Sequence, residues 1–175
     1  SEVIFATNTS SLSVSDIQAK VQQPQRVVGM HFFNPAQVMK LVEVVKGKQT
    51  LDAVAQTVYE LCLQMKKTPV MCKDAPGFIV NRVARHYYLE AMKLVENGIT
   101  TIEKVDELME AVGFKMGPFK LMDLIGNDVN LAVSQSLYDA CDHAERFKPS
   151  ALQMDKVATG ELDKKTGKGF YSYNG

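Results

Sequence analysis

His31 and Glu43 are the residues of this chain best placed to do chemistry. His31 sits in Gly29-Met30-His31-Phe32-Phe33-Asn34-Pro35, and twelve residues later Glu43 interrupts the apolar run Leu41-Val42-Glu43-Val44-Val45. An imidazole exchanges a proton near neutral pH, and a carboxylate beside it fixes its tautomer and supports its charge, which is how a general base is assembled. A carboxylate among branched apolar residues is costly to bury without a partner. The spacing also allows a plainer arrangement, in which Glu43 points to water at a strand edge and His31 is a satisfied core residue.

For the pair to meet, two strands must lie side by side. A β-rich stretch over 26–33 stops at Asn34-Pro35, a turn signal, and the chain returns through Lys40-Leu41-Val42-Glu43-Val44-Val45, so adjacent strands would bring His31 and Glu43 within reach. Ahead of them, Val3-Ile4-Phe5-Ala6 predicts a short buried strand, followed by the polar loop Thr7-Asn8-Thr9-Ser10-Ser11. Open α/β sheets place ligand-binding groups in such loops. Alternatively the loop merely turns into an ordinary surface helix, N-capped by Ser13 and ending before Pro24. Leu51, Val54, Ala55, Val58, Leu61, Cys62 and Met65 recur at helical spacing, with Thr50 as the expected N-cap and Lys66-Lys67 at the C-terminal end, where the dipole favours positive charge. Thr68-Pro69-Val70-Met71-Cys72-Lys73 predicts one more strand, which Pro69 confines to a strand start or a sheet edge.

Asp74-Ala75-Pro76-Gly77 divides the chain, and beyond it helical patterns dominate. A long helix is expected over 78–96, central and largely buried, with Asn81 in its first turns. A buried amide must find partners from backbone, water or ligand. Thr100 and Glu103 form a capping-box pattern. Further helices are expected from Pro118 through Leu124, over 128–140, and from Pro149-Ser150 to Gly160. The tail Lys164-Lys165-Thr166-Gly167-Lys168-Gly169-Phe170-Tyr171 is basic and glycine-rich, so its backbone can approach an anion closely. Phe170, Tyr171 and Tyr173 predict that it packs down.

Composition narrows the function classes. Twenty acidic and twenty basic residues cancel, so no net field points to nucleic acid or a lipid surface. Cys62, Cys72 and Cys141 are too scattered for a disulfide framework or a zinc site and read as reduced thiols, so no metal is expected. Apolar residues make up 46%, yet every long run is broken by charge, which excludes a bilayer-spanning segment and predicts a soluble protein of the cytoplasm or, in a eukaryote, the mitochondrial matrix.

Asn8-Thr9-Ser10-Ser11-Leu12, Gly29-Met30-His31-Phe32-Phe33-Asn34-Pro35 and Val38-Met39-Lys40-Leu41-Val42-Glu43-Val44 resemble the L-3-hydroxyacyl-CoA dehydrogenase family, close to its 3-hydroxybutyryl-CoA dehydrogenases. The resemblance continues through Lys73-Asp74-Ala75-Pro76-Gly77-Phe78-Ile79-Val80-Asn81-Arg82, Met116-Gly117-Pro118-Phe119 and 164–171, in order, over essentially the whole chain. It implies NAD-dependent oxidation of an acyl-CoA substrate in fatty-acid metabolism. His31 would be the base that takes the 3-hydroxyl proton, and Glu43 its support. Ser10 and Asn81 would hold the substrate's hydroxyl and thioester oxygens, while Asn8, Ser10, Asn34 and Lys165 would approach the dinucleotide.

The implied fold is an α/β remnant of a Rossmann-type nucleotide-binding domain over 1–75, followed by an all-α domain over 76–175 that carries substrate contacts and a homodimer interface. None of the eleven glycines forms the Gly-x-Gly-x-x-Gly turn that binds the pyrophosphate, so the chain reads as the carboxyl-terminal portion of such an enzyme, with little activity of its own. Two other readings stay open, an inactive helical dimerisation module and a related NAD-dependent dehydrogenase of a free hydroxy acid or a sugar.

Overall fold

The computed structural model describes residues 2–10 and 12–173; Ser11 of the polar loop lies outside the described residues. Two compact units divide the chain, residues 1–81 and 82–175.

Valine-rich runs make the first unit. Strands β1 (Phe5–Thr7), β2 (Val27–Phe32), β3 (Leu41–Lys46) and β4 (Thr68–Lys73) form one sheet in that order. Helix α1 (Val14–Gln18) connects the parallel pair β1 and β2, the β2–β3 pair is antiparallel, and α2 (Asp52–Gln64) connects the parallel pair β3 and β4. The central strands are buried on both faces. Because side chains alternate along a strand, one face presents Val28, Met30, Val42 and Val44 to Val54, Ala55, Val58 and Cys62 of α2. Val27 and Val45 face the other way and pack with Val14 of α1 and Phe78. Each such valine contributes about 1.5 kcal/mol or more on leaving water. Gly29 lets α1 settle there, since a Cβ at this position would stand 2.7 Å from Val45 Cβ and 3.1 Å from Val14 Cγ2.

Several local expectations are corrected. Val3 and Phe5 of the first expected strand are exposed rather than buried. The buried stripe of α2 is narrower than the apolar pattern: Leu51 and Met65 are the cap residues outside its turns, Leu61 lies at the stripe's border, and all three are exposed. Thr50 does not cap α2. Its hydroxyl donates to Val27 O at 2.7 Å and accepts from Gly47 N and the Gln18 side chain, which ties the turn before α2 to β2.

Helix α3 (Val80–Glu96) begins two residues later than expected, because Gly77 and Phe78 take positive φ of 70° and 47° and the chain turns there. It is amphipathic rather than largely buried, with Val83 exposed. Alongside it the second unit holds α4 (Ile102–Ala111), α5 (Pro118–Ile125), α6 (Asn127–Ala140) and α7 (Ala151–Ala158). Tyr88, Leu89, Ala91, Met92, Val105, Phe119 and Met122 form its core. The cap of α4 is Thr101, one residue after the expected Thr100, and its side chain accepts from Lys104 N. Ser13 and Ser150 cap α1 and α7.

The C-terminal tail does pack down, and the anion that its backbone meets belongs to the protein. Phe170 N and Tyr171 N donate to the two carboxylate oxygens of Asp123, a residue wholly shielded from solvent, at 2.8 and 2.9 Å. Tyr171 Oη donates to a second buried carboxylate, Asp106, at 2.8 Å, which also accepts from Phe119 N and Lys120 N at the start of α5.

Candidate active site

His31 and Glu43 are direct partners across the β2–β3 ladder, so their side chains project from the same face. Nδ1 of His31 lies 2.8 Å from Oε2 of Glu43, and the residues are 5% and 1% exposed, which leaves little water to compete for the bond. The other carboxylate oxygen accepts from two successive amides, Ile79 N and Val80 N, both at 2.9 Å. Burial pushes the Glu43 carboxyl up, but the bonds from His31, Val80 and Ile79 outweigh it and hold the group below the ordinary carboxylate value. An ionised carboxylate only accepts, so Nδ1 carries a proton and Nε2 offers its lone pair. No hydrogen bond to Nε2 is found among the described residues. The rings of Phe33 and Phe78 stand 4.6 and 5.8 Å from the imidazole, each at a steep angle to it.

Two of the other expected residues meet near the first strand. Asn81 Nδ2 reaches the backbone carbonyl of Ser10 at 3.4 Å, and both residues are half-buried, so Asn81 keeps solvent access rather than lying in the core. Asn8 accepts from Phe32 N through Oδ1 at 2.9 Å, which fastens the loop after β1 to the end of β2, one residue from His31. Asn34 is exposed just beyond β2. Lys165 belongs to the second unit, in an exposed turn where Thr166 N donates to Asp163.

Sequence reasoning missed Asp74 and the paired amides on Glu43. The amides are backbone groups without a side-chain signature. Asp74 followed a predicted strand directly, and that place was the available clue. Its Oδ2 accepts from Ser13 Oγ at 2.8 Å and Ser15 N at 2.7 Å, so it caps α1 from a distant part of the chain. Burial raises its pKa, and the bonds from Ser15, Ser13 and Val14 lower it further than burial raises it. Glu43 and Asp74 thus release protons more readily folded than unfolded. The stability they contribute is complete above their ordinary values of 4.5 and 3.8 and is lost as pH falls through the depressed folded values. The urea midpoint of the first unit is expected to drop between about pH 5 and about pH 3, and Asp74→Asn should flatten that slope. An unchanged slope in the variant would contradict this account.

A mixed four-stranded α/β sheet that buries an imidazole–carboxylate pair, followed in the chain by a helical unit, is the architecture to be placed. Comparison with known proteins narrows it. Residues 1–75 match the sequence model of the 3-hydroxyacyl-CoA dehydrogenase NAD binding domain, and residues 77–173 match that of the 3-hydroxyacyl-CoA dehydrogenase C-terminal domain. The chain belongs to the 3-hydroxyacyl-CoA dehydrogenase family. It is 49% identical over 173 residues to a 3-hydroxyadipyl-CoA dehydrogenase of Escherichia coli, covering 98% of this chain and 36% of that protein. It is 41% identical over 174 residues to a 3-hydroxybutyryl-CoA dehydrogenase of Clostridioides difficile, covering 99% of this chain and 62% of that protein. A crystal structure of 3-hydroxybutyryl-CoA dehydrogenase from Escherichia coli superposes with a TM-score of 0.95 at 48% identity, over 97% of this chain and 36% of that one. The chain therefore spans less than two thirds of these relatives.

Proposed function

We propose that the protein carrying this chain is an NAD-dependent dehydrogenase of L-3-hydroxyacyl-CoA thioesters, with His31 as the base. The observation that carries the reading is the 2.8 Å bond between His31 Nδ1 and Glu43 Oε2, which leaves Nε2 to take the proton of the 3-hydroxyl. Glu43 stabilises the imidazolium as it forms. Ser10 and Asn81 hold the hydroxyl and thioester oxygens. NAD, when bound, supplies the acceptor for the hydride that leaves C3.

The residues present fit the nicotinamide end of that cofactor. In support, Asn8 and Ser10 follow β1 in the chain, and His31 and Asn34 lie near and just beyond the end of its parallel neighbour β2, the carboxyl ends at which doubly wound sheets bind dinucleotides. Lys165 is proposed as a further dinucleotide contact. The first unit is read as the later part of a nucleotide domain, since the pyrophosphate-binding glycine turn is not among these 175 residues. The helical unit is proposed to form a homodimer, because it leaves Val83, Leu108, Val112 and Val129 more than half exposed. A monomer in sedimentation at micromolar concentration would refute that interface.

The test is reduction of acetoacetyl-CoA followed by loss of NADH absorbance. The full protein is expected to turn over, whereas the 175 residues alone should bind NADH weakly and show little rate. A full protein inactive toward acyl-CoA but active on a free hydroxy acid would replace this reading with that of a hydroxy-acid dehydrogenase.

A further inference from the structure

Phe78 combines two features that the reaction as described leaves unused. Its backbone has φ of +47°, a left-handed conformation that a bulky side chain adopts at an energetic cost and keeps only where the surroundings enforce it. Its ring is 6% exposed, packed with Val14, Val27 and Val45, and set edge-on to the His31 imidazole at 5.8 Å and 61°. The backbone has a separate consequence. Phe78 N closes the turn on Ala75 O at 2.9 Å, and the left-handed step at Gly77-Phe78 then delivers the next two amides, Ile79 N and Val80 N, to the same oxygen of Glu43. One residue therefore sets its ring against the base and, through the turn it makes, directs the two following amides to the base's carboxylate. Glycine would take this φ without cost, so the backbone alone gives no reason for an aromatic residue here.

We propose that Phe78 is a positioning residue for the proposed oxidation: its ring holds the plane of the His31 imidazole and screens the His31–Glu43 bond from water, while its turn clamps Glu43. This rests on the reading of His31 as the base. Phe33 flanks the same imidazole at 4.6 Å but is only half-buried and has no hold on Glu43. Phe78 thus stands against the His31 ring and directly precedes the two amides that hold Glu43.

The experiment compares Phe78→Leu, which keeps apolar bulk, with Phe78→Gly, which keeps the turn free of strain and removes the ring. Both are made in the full protein, and two readouts are taken. In steady-state kinetics with 3-hydroxybutyryl-CoA and NAD, kcat is expected to fall by about 10- to 100-fold in both variants while KM stays within about twofold, because misplacing a catalytic group harms the chemical step rather than binding. In nitrogen-15 histidine spectra, the Nδ1 proton of His31, assigned by its loss in His31→Gln, is expected to exchange slowly with water in the parent and at least about tenfold faster in both variants, as a shielded bond opens. A merely structural role would lower stability without moving either the kcat-to-KM split or this exchange rate.

Parent-like kcat and exchange in either folded variant would overturn the proposal. Rapid exchange of this proton in the parent would overturn it even if neither variant folded. A parent that shows the protected proton but oxidises no hydroxyacyl-CoA would instead remove the dehydrogenase reading and leave the role of Phe78 in holding the pair intact.

Discussion

In the full protein, His31→Gln is expected to lower kcat by about 10²- to 10⁴-fold, the usual worth of a positioned general base, with the circular dichroism spectrum unchanged. Glutamine fills much of the imidazole's space between Phe33 and Phe78 and can still donate toward Glu43, so the sheet has little reason to reorganise. It offers no group that takes a proton near neutral pH. Glu43→Gln should approach the same loss by another route. Its carbonyl oxygen can keep the bonds from Ile79 N and Val80 N, which turns the amide NH₂ toward His31 Nδ1. A donor there selects the tautomer with its proton on Nε2, and the base is then protonated at the wrong atom. Near-normal turnover in His31→Gln would sink the assignment, as would a Glu43→Gln enzyme that keeps most of its activity.

The proximity of His31 and Glu43 was legible because strand alternation and the Asn34-Pro35 turn leave few ways to fold residues 26–46, and the ladder makes the two direct partners. What lay beyond reading was the environment that gives the pair its properties. The amides on Glu43 come from a turn whose direction depends on a left-handed phenylalanine, a conformation that no propensity favours at that residue. The width of the α2 stripe was overestimated because Leu51 and Met65 continue the helical spacing into the two cap positions, where both are exposed. Asn81 was expected in the core since apolar residues surround it in sequence, yet it sits in the first turn of α3 and keeps solvent access. In the second unit, Asp106 and Asp123 sit in helices α4 and α5 and are wholly buried, with no motif in the sequence to mark them. Asp123 accepts from the tail, more than forty residues away in sequence, as well as from Asn127 nearby.

Asp123→Asn is expected to be among the most destabilising single substitutions in the second unit. The carboxylate of Asp123 accepts from Phe170 N and the Asn127 side chain on one oxygen, and from Tyr171 N and Tyr173 Oη on the other, at 2.8 to 3.1 Å. Burial and this bond together push the Tyr173 hydroxyl well up, which keeps it a donor. Asparagine turns one oxygen into an NH₂ group, so whichever way it sits two donors face a donor. A hydrogen bond to a charged group contributes about 1.5–3 kcal/mol, and a buried group left without a partner adds a penalty of similar size. Tyrosine can swing its hydroxyl away, but a backbone amide cannot, so the expected loss is about 3 kcal/mol. For a unit of this size that corresponds to a fall in Tm of roughly 10 °C or more. Gly169→Ala should produce the same result from the other side of the contact, since a Cβ there would lie 2.2 Å from Oδ1 and 2.4 Å from Cγ of Asp123. Limited proteolysis should then cut both variants within 164–173 under conditions that leave the parent intact. A thermal scan in which Asp123→Asn melts within about 2 °C of the parent would mean that the tail is held by the packing of Phe170 and Tyr171 alone, and that the buried carboxylate contributes nothing net.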